Sequence, residues 1–155
     1  MESLEATFAE MGRAADDFTA AIQGVSEAVL SRRPDEKNWS AKEIICHVRD
    51  TEEYFLTRFQ MILSFDEPKF SPAAAGRWAV ERQYLRNDVG EALAAFRQRR
   101  RETLSFVKEI KPNLWERTCL HAIRGRMTLK DYLNLLAGHD KNHLDQVKRA
   151  LSGKA

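Results

Sequence analysis

The clearest helix in the sequence lies in residues 39–62, which read WSAKEIICHVRDTEEYFLTRFQMI. Ser40 and Glu43 fit a capping box, in which each side chain binds the backbone N–H of the other residue. Trp39 and Ile44 flank this box as the two halves of a hydrophobic staple. The pattern predicts a helix that begins just after Ser40. Apolar side chains continue at helical spacing at Val48, Phe55, Phe59 and Ile62.

Three further stretches carry residues in steps of three and four, which is the spacing of an amphipathic helix. They cover residues 4–30, 88–109 and 128–150, and the last opens with Thr128 in a start that resembles a capping box. Four amphipathic helices predict an all-α fold, a four-helix bundle, in a single domain over residues 1–155. The positions on these stripes are Phe8, Met11, Ala15, Phe18, Ile22, Val25 and Val29 in the first stretch, Val89, Leu93, Phe96, Leu104 and Val107 in the second, and Tyr132, Leu136, His139, His143, Val147 and Ala150 in the third.

The segments between these stretches are predicted to be connections. Residues 64–76 contain two prolines and are predicted to form a loop. Residues 115–127 are predicted to form a connection that includes a short extended turn. Residues 78–86 could extend the helix that follows them.

Composition and charge narrow the class of protein. The chain has 155 residues, of which 43% are hydrophobic, and a net charge of +2. A domain of about 150 residues buries roughly 68–70% of its unfolded surface, so a core can form without disulfides. The small charge argues against nucleic acid or an anionic membrane as partner, and no apolar run approaches the roughly 18 residues of a membrane span. The basic cluster is predicted to be a solvated helix face and consists of Arg97, Arg99, Arg100 and Arg101.

The cysteines and the N-terminus bear on location. Cys46 and Cys119 lie far apart and form no C-x-x-C pair, which indicates free thiols in a reducing compartment. Residues 1–5, MESLE, lack the basic start and apolar run of a signal peptide. We therefore expect a cytoplasmic protein.

Two histidines of the fourth helix suggest a metal site. His139 and His143 are separated by four residues, so their rings lie on the same face of a helix, about 5–6 Å apart at Cβ. Both lie on the apolar stripe and therefore face the bundle interior. Burying two unpartnered imidazoles costs free energy, and a metal ion that accepts both lone pairs removes that cost.

A third histidine could complete this site from the second helix. His47 precedes Val48 and lies on or next to the apolar face of its helix. Three imidazole ligands leave a coordination position open for water or substrate, as in catalytic metal sites. Imidazole ligands suit a divalent ion such as zinc, nickel, copper or ferrous iron, and the sequence does not choose among them.

Other interpretations of the histidines stand beside this one. From spacing alone, the His139–His143 pair is as compatible with core packing as with a metal site. We interpret His121 as structural or as a peripheral pocket residue. The Glu-x-x-His motif of di-iron bundles is absent at His47 and His139. A zinc-protease H-E-x-x-H helix would need Glu where Asp140 stands.

Two acidic residues lie close to the histidines in sequence. Asp50 is three residues after His47 and could accept a hydrogen bond from an imidazole N–H. Asp140 follows His139 but points about 100° away around the helix, so it would cap or pair elsewhere. For both acids we favour the interpretation of a solvated charge on a helix surface.

The sequence resembles the DinB superfamily, the DinB/YfiT-like metalloenzymes, and two motifs carry the resemblance. Residues 39–52, WSAKEIICHVRDTE, resemble the second-helix motif of that superfamily. Residues 125–129, 138–140 and 143–146, which read GRMTL, GHD and HLDQ, resemble its C-terminal motif. The match spans all four predicted helices, and the order and spacing of its motifs are fairly specific.

The resemblance implies both a site and a chemistry. His47, His139 and His143 would occupy the three metal-ligand positions, none of which is replaced. It also implies a bundle of unusual connectivity that is frequently a homodimer. Characterised relatives include S-transferases and an isomerase that use low-molecular-weight thiols such as bacillithiol or mycothiol.

Two classes of function follow as hypotheses. The leading one is a metal-dependent enzyme acting on a small-molecule substrate, either a thiol S-transferase or a hydrolase. In the first case the metal favours the thiolate of a bound thiol, and in the second it lowers the pKa of bound water to about 7. The rival is a non-catalytic helical bundle that binds a metal, a small ligand or a partner chain. A structural site would be closed by a fourth ligand such as His121 or Asp50.

Overall fold

The computed structural model of the protein describes residues 3–155. Residues 1–2, which belong to the start without a signal-peptide pattern, lie outside this part of the chain. The described residues form helices α1 (Leu4–Ile22), α2 (Glu27–Leu30), α3 (Ala41–Ser64), α4 (Ala75–Glu81), α5 (Val89–Lys108) and α6 (Leu129–Leu151), and strands β1 (Lys69–Phe70), β2 (Thr118–His121) and β3 (Gly125–Thr128).

The four long helices form a four-helix bundle, as predicted. Helix α3 packs against α5 and α6, and α1 packs against the same two helices. Consequently α1 and α3 lie at opposite corners of the bundle. No helix within residues 3–155 combines the length and the apolarity that crossing a membrane requires.

Two of these helices begin at the capping boxes predicted from the sequence. The Ser40 hydroxyl accepts a hydrogen bond from the Glu43 backbone N–H, and the Glu43 carboxylate accepts one from the Ser40 backbone N–H. Thr128 and Asp131 form the same reciprocal pair at the start of α6. Such a cap stabilises a helix by about 1 kcal/mol, so the starts of α3 and α6 are well defined.

The first predicted helix, residues 4–30, is wrong in its C-terminal part. Helix α1 ends at Ile22, and Gly24 follows with a φ of +73°, a left-handed conformation that favours glycine. Ser26 then caps the separate short helix α2 by accepting a hydrogen bond from the Val29 N–H. The apolar stripe continued through this break because the residues after it still face the core.

The connections are more ordered than the sequence indicated. The predicted loop 64–76 contains β1, and the region 78–86 is helical over α4 and a short 3-10 turn at Tyr84–Arg86. The connection 115–127 folds into a hairpin of β2 and β3, and β1 pairs parallel to β2. The three strands form a small sheet beside one end of the bundle helices.

The core consists of two apolar clusters, one toward each end of the bundle. A layer of polar and charged side chains lies between them on the long helices. On α5 this layer falls between Phe96 of the first cluster and Val107 of the second, and on α6 it falls between Ala137 and Val147. The buried polar residues of the layer include His47, Thr51, Glu52, Arg100, Thr103 and Asp140.

Candidate metal centre

Three histidines from two helices meet in the polar layer. The Nε2 atom of His143 lies 3.0 Å from Nε2 of His47 and 3.1 Å from Nε2 of His139. His139 and His143 are neighbours along α6, whereas His47 approaches them from α3. The structure therefore brings together all three residues that the sequence predicted as metal ligands.

The site is largely enclosed but not sealed. His47 is only 6% exposed, whereas His139 and His143 are half-buried. The ring of Trp39 packs on His47 at a centroid distance of 4.9 Å, and Phe55 packs on His139 at 5.4 Å. Aromatic packing thus orients two of the rings and leaves an open side at the α6 histidines.

Burial keeps the three rings neutral. Burial, followed by the neighbouring His143, lowers the pKa of His47 to about 3. Burial is also the largest cause of the lowered pKa of His143, and it holds the pKa of His139 well below its usual value. Neutral imidazoles are the form that binds a divalent metal, so no proton has to leave the rings near pH 7.

A hydrogen bond sets the tautomer of His143. Its Nδ1 lies 2.7 Å from the side-chain oxygen of Gln146, which accepts the Nδ1–H. The proton is then on Nδ1, and the Nε2 lone pair points toward His47 and His139. In metal-binding histidines, a hydrogen bond from the second ring nitrogen commonly fixes the tautomer and the orientation of the ring in this way.

The other two rings have no such partner. Nδ1 of His47 and Nδ1 of His139 are buried, and neither has a hydrogen-bond partner among residues 3–155. Because no donor binds either Nδ1 atom, neither ring is forced to carry its proton on Nε2. Both rings are free to direct a lone pair at the common point.

This arrangement fits a metal ion better than it fits hydrogen bonding alone. The single Nε2 lone pair of His143 cannot accept a good hydrogen bond from both neighbouring rings at once. A cation instead accepts all three lone pairs. Two nitrogens bound at about 2.0–2.1 Å to one tetrahedral ion lie roughly 3.3–3.4 Å apart, close to the observed spacing.

Neither candidate for a fourth ligand joins the histidines. The ligand atoms of His47, His139 and His143 all lie within 4.8 Å of one another, and no other His, Cys, Asp or Glu of the described chain belongs to this group. The Nδ1 atom of His121 accepts hydrogen bonds from the backbone N–H groups of Ile123 and Arg124 in the hairpin turn. His121 is thus structural, which was one of its two predicted roles.

Asp50 is not the solvated surface charge that the sequence favoured. Only 7% of the residue is exposed, and its carboxylate binds Arg49, Arg82, Arg99 and the Tyr84 hydroxyl. Burial alone would raise the pKa of Asp50, but the hydrogen bonds from Arg49 and Tyr84 bring it well below its ordinary value. With these partners Asp50 connects α3 to α5 and to the segment that follows α4, and no bond to His47 is among them.

The interpretations of Arg100 and Asp140 as solvated charges were also wrong, whereas the expectation that Asp140 would pair elsewhere is confirmed. Arg100 is 2% exposed, and its guanidinium binds the carboxylates of Asp140 and Glu52. Burial raises the pKa of Asp140 to about 6, against the opposing effect of Arg100. Arg100 lies between Phe96 and Leu104 at helical spacing, on the apolar stripe of α5. This position is the sequence signal that could have indicated its burial.

The four-helix bundle and its three converging histidines define a class of helical proteins with a centre that fits a divalent metal ion. The sequence profile of the DinB superfamily matches residues 10–147. The chain therefore belongs to the DinB superfamily, as its motifs indicated.

Known relatives are distant in sequence and similar in fold. Two proteins of Oceanobacillus iheyensis, each named as a candidate metal-dependent hydrolase, are 19% identical over 134 residues and 21% identical over 109 residues. These matches cover 86% and 70% of this chain, and 77% and 63% of the relatives. YfiT from Bacillus subtilis, described as a candidate metal-dependent hydrolase with an unusual four-helix bundle topology, superposes with a TM-score of 0.88 at 16% identity. The superposition covers 97% of this chain and 88% of YfiT.

Proposed function

We propose that the protein binds one divalent metal ion through Nε2 of His47, His139 and His143 and is a metal-dependent enzyme for a small-molecule substrate. The observation that carries the proposal is the convergence of three neutral ring nitrogens at 3.0 and 3.1 Å. The absence of a fourth His, Cys, Asp or Glu from this group among residues 3–155 supports a catalytic site over a closed structural one. A homodimer and a cytoplasmic location stay predictions.

The protein's own side chains prepare the site. A divalent ion held by three imidazoles acts as a Lewis acid and lowers the pKa of a water or thiol that coordinates it. Gln146 holds the proton of His143 on Nδ1, which keeps Nε2 available. The rings of Trp39 and Phe55 cover His47 and His139, which limits access by water to the open side of the site.

Hydrolysis of a small molecule is the reaction we favour, because the two Oceanobacillus relatives and YfiT are described as candidate metal-dependent hydrolases. Transfer of a low-molecular-weight thiol is the second candidate. One observation favours it: the carboxylates of Glu52 and Asp140 in the same layer are occupied by Arg100. A thiol would need no carboxylate base, because coordination to such an ion would deprotonate it fully, whereas bound water would keep a pKa of about 7.

Elemental mass spectrometry of untagged protein tests the metal site. We expect about one equivalent of zinc, nickel or iron in the native protein and a large loss in His139→Ala, because two imidazoles bind an ion much more weakly than three. His121→Ala is the matched control, since His121 caps a hairpin turn away from the centre. Native protein that takes up none of these metals on reconstitution would overturn the proposal.

Activity assays then separate the two reactions. The metal-loaded protein is screened with ester, amide and phosphoester substrates, and separately with electrophiles in the presence and absence of a thiol. Chelator-sensitive turnover without thiol supports the hydrolase, and turnover that requires thiol supports the transferase. Stoichiometric metal without turnover in either screen would favour the non-catalytic metal-binding bundle.

A further inference from the structure

The guanidinium of Arg100 uses all of its hydrogen-bond donors inside the protein. Its Nε and Nη2 donate to the two oxygens of Glu52 at 2.7 and 2.8 Å. Its Nη1 and Nη2 donate to the two oxygens of Asp140 at 2.6 and 2.9 Å, and Nη1 also donates to the Met11 carbonyl at 2.9 Å. These bonds account for all five N–H groups of an arginine side chain.

These contacts connect all four long helices at the level of the histidines. Arg100 lies on α5, Glu52 on α3, Asp140 on α6 and Met11 on α1. Glu52 is five residues after His47, which corresponds to about 7.5 Å along a helix axis. Asp140 directly follows His139. The two helices that carry the histidines are therefore bound to the same planar group next to the site.

We propose that Arg100 is a positioning residue for the metal centre: by clamping Glu52 and Asp140 it fixes the spacing and rotation of α3 relative to α6. This inference rests on the proposed metal site. A bidentate guanidinium–carboxylate pair restrains orientation as well as distance, which a lysine ammonium cannot do. His47 is the only one of the three ligands on α3, so its approach to His143 depends directly on this spacing.

Neither apolar cluster supplies the same restraint at this level. Arg100 and Thr103 are the buried residues of α5 between Phe96 and Val107, and neither side chain is aliphatic. In the polar layer, hydrogen-bond geometry replaces close packing between the helices. The relative orientation of the helices in this layer is thus set by the bidentate contacts of the Arg100 guanidinium.

Arg100→Lys tests the proposal, because it keeps the positive charge and removes the planar guanidinium with its bidentate contacts. Affinity for Zn²⁺ is measured by competition with a chromogenic chelator, and site geometry by the visible spectrum of the Co²⁺-loaded protein. We expect a loss of about tenfold in Zn²⁺ affinity, the lower end of the range for residues that hydrogen-bond a metal ligand directly, because Arg100 acts on the ligands through the helices. We also expect a changed Co²⁺ spectrum. Arg97→Lys is the matched control, since Arg97 lies on the same helix and binds Asp16 at the surface. Wild-type affinity and spectrum in Arg100→Lys would overturn the proposal.

A readout on the metal-free protein separates this inference from the proposed function. Histidine ring ¹⁵N chemical shifts report the tautomer and contacts of each imidazole without any metal. We expect the shifts of His47 and His143 to change in Arg100→Lys and to stay unchanged in Arg97→Lys. If the wild-type protein binds no metal, the metal site fails, and these shifts still decide whether Arg100 positions the rings.

A second variant covers the case in which Arg100→Lys does not fold. Glu52→Gln keeps the shape of the side chain and weakens only the α3 half of the clamp. We expect a smaller loss of Zn²⁺ affinity with the His47 shifts altered. Unchanged affinity together with unchanged His47 shifts would overturn the positioning role.

Discussion

The metal-free protein should lose stability in acid because His47 is buried as a neutral ring. An imidazole has a pKa of about 6.5 in the unfolded chain, whereas burial and the neighbouring His143 lower the pKa of His47 in the folded protein to about 3. Between these two values the unfolded state binds more protons than the folded state. The contribution of His47 to stability is therefore complete above pH 6.5 and declines as the pH falls toward 3.

The size of the effect follows from the pKa of His47. A pH of 5 is about 1.5 units below the pKa of the unfolded ring, whereas the folded ring is still neutral at this pH. Each unit corresponds to about 1.4 kcal/mol of unfolding free energy. Lowering the pH from 8 to 5 should thus remove roughly 2 kcal/mol of unfolding free energy through His47 alone. His139 and His143 act in the same direction, because burial lowers both of their pKa values.

The assay is urea unfolding followed by circular dichroism, with EDTA present, at pH 8 and pH 5. The pH-dependent loss of stability should be about 2 kcal/mol smaller in His47→Gln than in the wild type. Groups shared by both proteins, such as Asp140 with its raised pKa, cancel in this difference. His121→Gln serves as control and should change the loss less, because His121 is far less buried. A difference below about 0.5 kcal/mol for His47→Gln would refute the view that His47 is held neutral by burial.

Two further predictions concern the hydrogen bond to His143 and the thiols. Gln146→Leu removes the acceptor of the His143 Nδ1–H, so metal affinity measured by chelator competition should fall by roughly 10–100-fold. An affinity equal to that of the wild type would show that packing alone sets this tautomer. Burial raises the pKa of Cys46 to about 11 and also raises that of Cys119, so neither thiol should react with a disulfide reagent at pH 8 until the protein unfolds. Rapid labelling of the native protein would contradict their burial.

Local signals allowed the helix starts and the histidine cluster to be predicted from sequence. The boxes at Ser40 and Thr128 involve residues three positions apart, so the sequence contains both partners of each bond. His139 and His143 are placed together by helix geometry alone. The approach of His47 was inferred from its helix face and from the DinB motif, and the 3.0 Å contact agrees with both.

The features that sequence analysis missed depend on partners far apart in the chain. A run of basic residues on a helix predicts a solvated face, and nothing local indicates that Arg100 meets Glu52, which is 48 residues away. Asp50 was misjudged for the same reason, because Tyr84 and Arg82 reach it from a segment whose structure was left open. The break after Ile22 was missed for a different, local reason, because apolar spacing persists across Gly24.

The polar layer explains why a metal site can lie inside this bundle. Packing apolar side chains between helices tolerates small shifts, whereas a three-nitrogen site requires ring positions accurate to about 0.5 Å. Saturated hydrogen bonds supply that accuracy, since Arg100 leaves none of its five donors unpaired and fixes two carboxylates by bidentate contacts. Burying such ions costs more desolvation energy than aliphatic packing would. Their position beside His47 and His139 therefore points to a role in the geometry of the site, with the two apolar clusters providing the stability of the fold.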